Sequence, residues 1–210
     1  MTPALFYDTE TTGLPLFREP SEHPAQPHLV QLGANLVDLD TRAVLSSIDV
    51  IIKPNGWTIP DDVAAIHGIT TEKAYDLGIP EEAAVDMLLS MWSNRLRIAH
   101  NEQFDARILR IAAKRFVDPR DPNLAIPPSN EWKAGRSECT AVMTTPLCQL
   151  PPTEKMVKAG FNNFKTPKLA EAYRHFFGKD FEGAHTAGAD TKACMEVYFA
   201  VKDQQATKAA

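Results

Sequence analysis

The sequence has few cysteines, no long apolar run and no excess of positive charge. Its three cysteines, Cys139, Cys148 and Cys194, lack the close spacing of zinc ligands, and a sparse, odd-numbered set is typical of free thiols in a reducing compartment. No run of about 18 apolar residues is present, and no charged stretch followed by an apolar core opens the chain, so we expect neither a membrane span nor a secretory signal. A formal net charge of -5 excludes a strongly basic protein. We therefore expect a soluble cytoplasmic protein.

The sequence also lacks repeats and any shift in composition that would mark a second domain. A chain of 210 residues, 44% of them hydrophobic, is long enough to bury one core. Apolar segments at 4–8, 29–39 and 43–54 are joined by a loop and a tight turn, which predicts three antiparallel strands. Helical periodicity then alternates with a further strand at 96–100. This order predicts an α/β fold, a mixed sheet flanked by helices, in a single domain at 1–203 with a frayed tail at 204–210.

The first candidate site lies in the stretch ALFYDTETTGLP, where two acids, Asp8 and Glu10, follow a buried-looking strand. Side chains alternate along a strand, so both carboxylates project to one face if the strand continues. Two like charges held together repel unless a cation lies between them. The alternative is that the strand has already ended and that both acids are solvated turn residues.

Two later stretches each place another acid near a helix start. AHNEQFDARIL contains Asp105 one turn into a predicted helix that Asn101 could cap, and AHTAGADTKACM contains His185 five residues before Asp190. Small residues between His185 and Asp190 would let this helix approach another element closely. Each acid alone is equally consistent with a favourable charge at a helix N-terminus, and His100 with a hydrogen-bonded core histidine.

Considered together, the four carboxylates favour a metal site. Hard divalent cations prefer oxygen ligands, and two Mg²⁺ ions about 4 Å apart are able to hold a phosphodiester for in-line displacement. A histidine that titrates near neutrality is suited to take a proton from the attacking water.

The order DTETTG, HNEQFD, HTAGAD closely resembles the three motifs of the DEDD 3′–5′ exonucleases, in the branch with a histidine in the third motif. That branch contains polymerase proofreading subunits, ribonuclease T and oligoribonuclease. The resemblance implies a ribonuclease H-like fold and His185 as general base. It implies two Mg²⁺ ions, replaceable by Mn²⁺, on four ligands: Asp8, Glu10, Asp105 and Asp190. Glu10 thereby belongs to the catalytic set as well.

A fourth segment, AAIHGIT, resembles the part of the family that lines the pocket for the terminal nucleotide. The resemblance implies these substrate contacts: Thr11, Thr12, Gly13, Leu14, Ile66, His67 and Asn101. For Leu14, an apolar wedge between the last bases and an ordinary core-packed loop leucine are equal alternatives. For His67, the alternative is the end of a helix closed by Gly68, and both descriptions are compatible.

Two segments are longer than in the shorter family members, and a third is basic. The proline-rich loop 15–28 and the connector 118–136, with Trp132, Lys133 and Arg136, are each able to shape a nucleic-acid channel or to be insertions without a role. The third segment carries Lys155, Lys158, Lys165 and Lys168 against a single acid, Glu154, which favours phosphate contacts over a merely solvated face.

From these residues we expect a 3′–5′ exonuclease that releases nucleoside 5′-monophosphates, with single-stranded DNA bearing a free 3′ end as the preferred substrate. The alternatives are an RNA-trimming exoribonuclease and, in another class, a non-catalytic nucleic-acid-binding or polymerase-accessory module. Loss of an acid or of the histidine would favour the accessory module, and none is missing. A polymerase or a second copy of the chain is a further possible partner. The sequence favours neither of these two partners over the other, and it contains no residue that we assign to the choice between DNA and RNA.

Overall fold

The computed structural model describes residues 1–116 and 128–209. Its strands are β1 Pro3–Thr11, β2 Leu29–Asp38, β3 Val44–Ile51, β4 Leu96–Ala99 and β5 Ser137–Cys139. Its helices are α1 Asp61–His67, α2 Thr71–Leu77, α3 Glu81–Trp92, α4 Glu102–Phe116, α5 Pro128–Ala134, α6 Thr140–Cys148, α7 Glu154–Lys158, α8 Leu169–Phe177 and α9 Ala187–Ala209. In the described part of the chain, no helix is both long enough and apolar enough to cross a membrane.

The strands form one mixed sheet in the order β3-β2-β1-β4-β5. The pairs β1–β2 and β2–β3 are antiparallel, whereas β4 and β5 join in parallel. The predicted arrangement of three antiparallel strands followed by parallel strands is therefore confirmed. Strand β1 continues through both acids to Thr11, so the alternative that Asp8 and Glu10 lie in a solvated turn is wrong.

Alternation along β1 sorts its side chains onto the two faces of the sheet. Leu5 and Tyr7 pack with residues of α3 and α4 on one face. Ala4 and Phe6 pack with Tyr198 and other residues of α9 on the opposite face. Since Asp8 has the same parity as Ala4 and Phe6, its side chain belongs to the α9 face. The fold therefore places the first acid of β1 and the start of α9 on the same side of the sheet.

Two predicted irregular segments contain helix. Helix α9 extends to Ala209, so residues 204–209, which we expected to be a frayed tail, continue the helix. The connector 118–136 contains α5 in its described part, and the expectation for residues 118–127 lies outside the described residues.

Trp132 of α5 is 1% exposed and lies between Tyr7 and Trp92 in edge contacts. The Arg97 guanidinium covers its ring at 4.4 Å. An indole enclosed in this way is not available to stack a base, so the suggestion that Trp132 shapes a nucleic-acid channel is wrong.

Candidate active site

Three carboxylates meet where β1 ends and α9 begins. One oxygen each from Asp8, Glu10 and Asp190 lie within 4.8 Å of one another, and all three residues are partly buried. Asp8 and Glu10 are two positions apart on an extended strand and therefore share a face, and Asp190 is in the first turn of α9. The predicted convergence of the first and third motifs is thus present in the structure.

Close backbone contact between β2 and α9 makes this convergence possible. Gly33 pairs with Asp8 across β1 and β2, and a Cβ placed on Gly33 would overlap the backbone of Ala187. A Cβ placed on Gly188 would likewise overlap the Asp49 carboxylate of β3. The small residues ahead of Asp190 were expected to permit such an approach, and this expectation is confirmed. Gly33 as their partner was not recognised, because an isolated glycine in a strand does not indicate what approaches it.

Two side chains hold α9 in this position. The Gln31 amide accepts a hydrogen bond from the Ala187 backbone N–H at 3.1 Å and donates to Asp49 at 2.7 Å. The Thr191 hydroxyl, with one proton to donate, lies 2.7 Å from the carbonyl oxygen of Ala187 and 3.1 Å from that of Gly33. Gln31 and Thr191 are both buried, so their hydrogen bonds are shielded from competition with water. Sequence reasoning missed both residues, since neither carries a signal of its own.

Asp105 lies beside the three clustered carboxylates without joining them in that group. Its side chain, 2% exposed, accepts hydrogen bonds from the Thr9 backbone N–H at 3.1 Å and the Thr9 hydroxyl at 2.7 Å. Thr9 faces the α4 side of the sheet, whereas Asp8 and Glu10 face the α9 side. After burial, the charge of Asp105 is the largest cause of the raised pKa of Asp8. Asp105 lies in the first turn of α4, as the alternative of a favourable helix-start charge requires, and it is also buried and accepts two hydrogen bonds from Thr9.

The acids are held together against their own repulsion. Burial raises the pKa of Asp8 well above its usual range, and three neighbouring carboxylates, Asp105 foremost, raise it further. Burial also raises the pKa of Asp105 to about 8, that of Glu10 to about 7 and that of Asp190 to about 6. Among the described residues, no lysine or arginine forms an ion pair with any of these acids. A buried set of oxygen ligands without a compensating cation fits a hard divalent metal ion.

His185 is exposed and lies in the loop before α9. Its backbone adopts φ +67, and its N–H donates to Asp190 Oδ1 at 3.3 Å. This contact ties the loop to a clustered acid through the main chain and leaves the imidazole outside the group of ligand oxygens. The arrangement suits a side chain that acts on a substrate in front of the acids.

The other two candidate histidines are engaged in the fold. His100 Nδ1 lies 2.9 Å from the Thr140 hydroxyl, and His100 Nε2 lies 3.0 Å from the carbonyl oxygen of Pro167. A carbonyl only accepts, so Nε2 carries a proton and Nδ1 is occupied by Thr140. Burial lowers the pKa of this imidazole. The alternative of a hydrogen-bonded core histidine is therefore confirmed for His100.

His67 ends α1, and Gly68 closes the helix in the left-handed conformation, as the alternative description proposed. His67 Nδ1 accepts from the Ile69 N–H at 3.2 Å, which places the proton of the neutral ring on Nε2. Burial, followed by the charge of Lys73, lowers the pKa of this imidazole. Within the described residues Nε2 has no hydrogen-bond partner, although the side chain is only 5% exposed. An unsatisfied buried donor of this kind is available to a ligand.

The turn after β1 exposes Leu14. The Thr11 hydroxyl donates to the Gly13 carbonyl at 2.8 Å, and the Thr12 hydroxyl accepts from the His28 N–H at 2.9 Å. Leu14 follows with 76% of its surface exposed. A leucine packed on the core, the alternative to a wedge, is therefore wrong.

The remaining predicted substrate contacts lie at two other surface positions. Ile66 is 60% exposed on α1. Asn101 is exposed between β4 and α4, with φ +66, and its carbonyl accepts from the Phe104 N–H at 2.9 Å.

The loop 15–28 is fastened to α4 by three cationic side chains. Arg107 donates to the carbonyl of Glu19, Lys114 pairs with Glu22, and Arg115 donates to the carbonyls of Gln26 and Pro27. The loop therefore has a defined conformation.

Comparison with known proteins identifies the chemistry that such a site serves. The family model described as Exonuclease (RNase T) matches residues 5–198. No curated protein sequence matches the chain significantly.

Solved structures of exonuclease I resemble the whole chain. E. coli exonuclease I in complex with a dA16 oligonucleotide has a TM-score of 0.71 at 20% identity, covering 99% of this chain and 42% of that chain. The enzyme from Methylocaldum szegediense has a TM-score of 0.70 at 21% identity, covering 98% and 41%. A product-bound exonuclease I has a TM-score of 0.68 at 21% identity, covering 99% and 45%. The shared fold is the ribonuclease H-like exonuclease fold, and the chain spans about two-fifths of the length of these proteins.

Proposed function

The chain belongs to the exonuclease family (RNase T), and from this premise we propose that it is a metal-dependent 3′–5′ exonuclease acting on single-stranded DNA. The observation that carries the proposal is the meeting of Asp8, Glu10 and Asp190 within 4.8 Å, with the exposed His185 joined to Asp190 through its backbone N–H. We also propose that residues 1–203 constitute a single exonuclease domain.

The acids would hold two divalent cations, Mg²⁺ by preference and Mn²⁺ as a substitute. Asp8, Glu10 and Asp190 supply the clustered oxygens, and Asp105 contributes from the α4 side through the oxygen that Thr9 does not occupy. Bound there, the cations would supply charge stabilisation for the phosphodiester during displacement. Because β1 and α9 are parts of the packed core, the ligand oxygens are preorganised for this task.

His185 would act as the general base. It takes a proton from the attacking water, whose oxygen forms a bond to phosphorus while the bond from phosphorus to the 3′ oxygen of the remaining strand breaks. The released nucleotide keeps the phosphate at its 5′ position, and the remaining strand gains a 3′ hydroxyl after protonation by solvent. The exposed loop gives the imidazole access to the water without making it a metal ligand.

The 3′ end would be recognised by residues around the acids. Thr11, Thr12 and Gly13 shape the turn that presents Leu14, an exposed side chain suited to separate the last two bases. Among the described residues the His67 Nε2 donor has no partner, and it is suited to a hydroxyl or phosphate oxygen of the terminal nucleotide; Ile66 and Asn101 are further proposed contacts. Single-stranded DNA is favoured because exonuclease I, which shares this fold, is bound to dA16 and dT13 oligonucleotides in its structures.

The test is digestion of matched 5′-labelled DNA and RNA oligomers, single and double stranded, with Mg²⁺ or with a chelator. We expect stepwise shortening of single-stranded DNA from the 3′ end, blocked by a 3′ phosphate and unaffected by a 5′ block. Equal or faster loss of RNA would make the chain an exoribonuclease, and cutting of a circular single strand would make it an endonuclease. Binding without cleavage of any oligomer would make it an accessory module. A polymerase or homodimer partner and a cytoplasmic location stay predictions.

A further inference from the structure

A surface between α6 and α8 exposes aromatic side chains beside lysines. The apolar members of this 153–168 surface are Val157, Phe161 and Phe164, which are 51%, 60% and 44% exposed. Three large apolar side chains exposed within eight residues of sequence are unusual for a surface without a partner.

The 153–168 surface is ordered, so the aromatic rings have defined positions. The Thr153 hydroxyl caps α7 by accepting from the Met156 N–H. Gly160, at φ +83, follows Ala159, the C-cap of α7, and the Phe161 N–H donates to the carbonyl of Met156 at 2.9 Å. The Lys165 N–H donates to the carbonyl of Leu150 at 3.0 Å. The aromatic side chains are therefore exposed on a loop that is held in a defined conformation.

Positive charge accompanies the rings. The segment contains four lysines and one acid in a chain whose net charge is -5. Lys155, Lys158 and Lys168 are exposed, and Lys158 is only 3.9 Å from the exposed Glu154, a weak pairing. Lys165 is engaged by Glu171 of α8. Three solvated cations beside two exposed rings complement a strand of stacked bases joined by phosphates.

The surface adjoins the candidate active site through His100. Strands β1 and β4 are parallel neighbours with Phe6 opposite Ile98, so their carboxyl ends lie at the same edge of the sheet, and His100 directly follows β4 at that edge. The carbonyl of Pro167 lies 3.0 Å from His100 Nε2. The carboxyl-terminal end of the 153–168 surface is thereby tied to the edge of the sheet that carries the acids.

We propose that the 153–168 surface binds the single-stranded DNA that lies upstream of the scissile bond. Phe161 and Phe164 stack on bases that have not yet entered the site, and Lys155, Lys158 and Lys168 contact the phosphates between them. The inference rests on the proposed exonuclease function and adds to it a preference for strands long enough to reach this surface. Stacking does not distinguish one base from another, so the contact is independent of sequence.

The experiment compares a 5′-fluorescein-labelled dT20 with a labelled dT2, using Phe161→Ala/Phe164→Ala and the wild type. We expect the double variant to raise KM for dT20 at least about tenfold, the effect of losing one or two base–aromatic contacts. The value of kcat/KM for dT2 should stay unchanged, because dT2 has a single nucleotide upstream of the scissile bond and is unable to stack on both rings. The matched control is Val44→Ala/Leu45→Ala, which removes two similarly exposed apolar side chains from β3 at the opposite end of the sheet.

A second measurement tests the lysines. Binding of dT20 to Lys155→Gln/Lys158→Gln in Ca²⁺ should show a salt dependence shallower by about 1.4 in the log–log slope, since each phosphate contact to a single strand contributes about 0.7. Lys208→Gln, an exposed lysine near the end of α9, should leave that slope unchanged.

Each contrary outcome has a separate meaning. If the wild type degrades neither oligomer, the proposed function fails and the surface has no strand to bind. If the wild type degrades both and the aromatic variant matches it on dT20, the surface proposal is overturned. Equal losses on dT2 and dT20 would overturn it as well, because the rings would then act on the site itself. A change in oligomeric state with unchanged DNA kinetics would assign the surface to a protein contact instead.

Discussion

Gly33 of β2 and Ala187 of α9 are in such close backbone contact that any side chain at position 33 would overlap the first turn of the helix. Gly33 is also the residue paired with Asp8 across the two strands. The contact therefore determines the distance between the acids of β1 and Asp190, which is three residues after Ala187. One missing Cβ determines the spacing of the candidate metal ligands.

Gly33→Ala should lower exonuclease activity by about 10²-fold, because a displacement of about 1 Å at catalytic groups has an effect of that size. Overpacking of this buried contact should also lower the free energy of unfolding by about 1–3 kcal/mol. Cleavage assays and urea denaturation measure the two effects. Ser46→Ala on the exposed neighbouring strand β3 is the control, and near-normal activity of Gly33→Ala would show that the contact does not position Asp190.

Asp190→Asn should lower cleavage by more than about 10³-fold, since charge stabilisation by a catalytic metal ion is worth several kcal/mol. The same variant should show a reduced affinity for Mn²⁺ in a titration. Asp76→Asn, which neutralises an exposed acid of α2, should behave as the wild type in both assays. Normal Mn²⁺ affinity in Asp190→Asn would remove this residue from the ligand set.

His185→Ala should lower kcat by about 10²–10⁴-fold, the usual loss for a general base. Metal affinity should persist, because the contact from position 185 to Asp190 is made by the backbone N–H, which alanine retains. His175→Ala on the exposed surface of α8 is the matched control. Wild-type turnover in His185→Ala would require a different base.

The metal-free protein should become less stable as the pH rises from about 5 to about 8. The folded state raises the pKa of Glu10 from 4.5 to about 7 and that of Asp105 from 3.8 to about 8, so between these values it binds protons that the unfolded chain releases. The resulting stabilisation is present below the unfolded pKa values and is lost as the pH passes through the folded ones.

Mg²⁺ should therefore raise the melting temperature more at about pH 8 than at about pH 5.5, because protons compete with the cation for the same oxygens. Differential scanning fluorimetry with and without Mg²⁺ measures both dependences. Glu10→Gln should flatten the pH dependence of the metal-free protein. An equal effect of Mg²⁺ at both pH values would mean that these carboxylates do not bind it.

Local sequence was sufficient for β1 to β4 and for the placement of both acids on β1, whereas α5 and the end of α9 lie in segments that were predicted to be irregular. Strand alternation placed Asp8 and Glu10 on one face, and the glycine after His67 ended α1 as predicted. The helix predicted after His100 is likewise present as α4, with Asp105 in its first turn. These properties depend on neighbours within a few residues, which a sequence displays directly.

Contacts between distant segments decided the rest. Helix α9 approaches β2 at Gly33, and Asp105 is buried against Thr9; both contacts join residues that are far apart in the chain. Leu14 is exposed because no distant segment among the described residues packs on it. Trp132 illustrates the same limit, because an indole beside a lysine has the same sequence context on a surface and in a core. Packing over the whole sheet determines which side chains meet. Because packing depends on two segments at once, the sequence of one segment does not predict it.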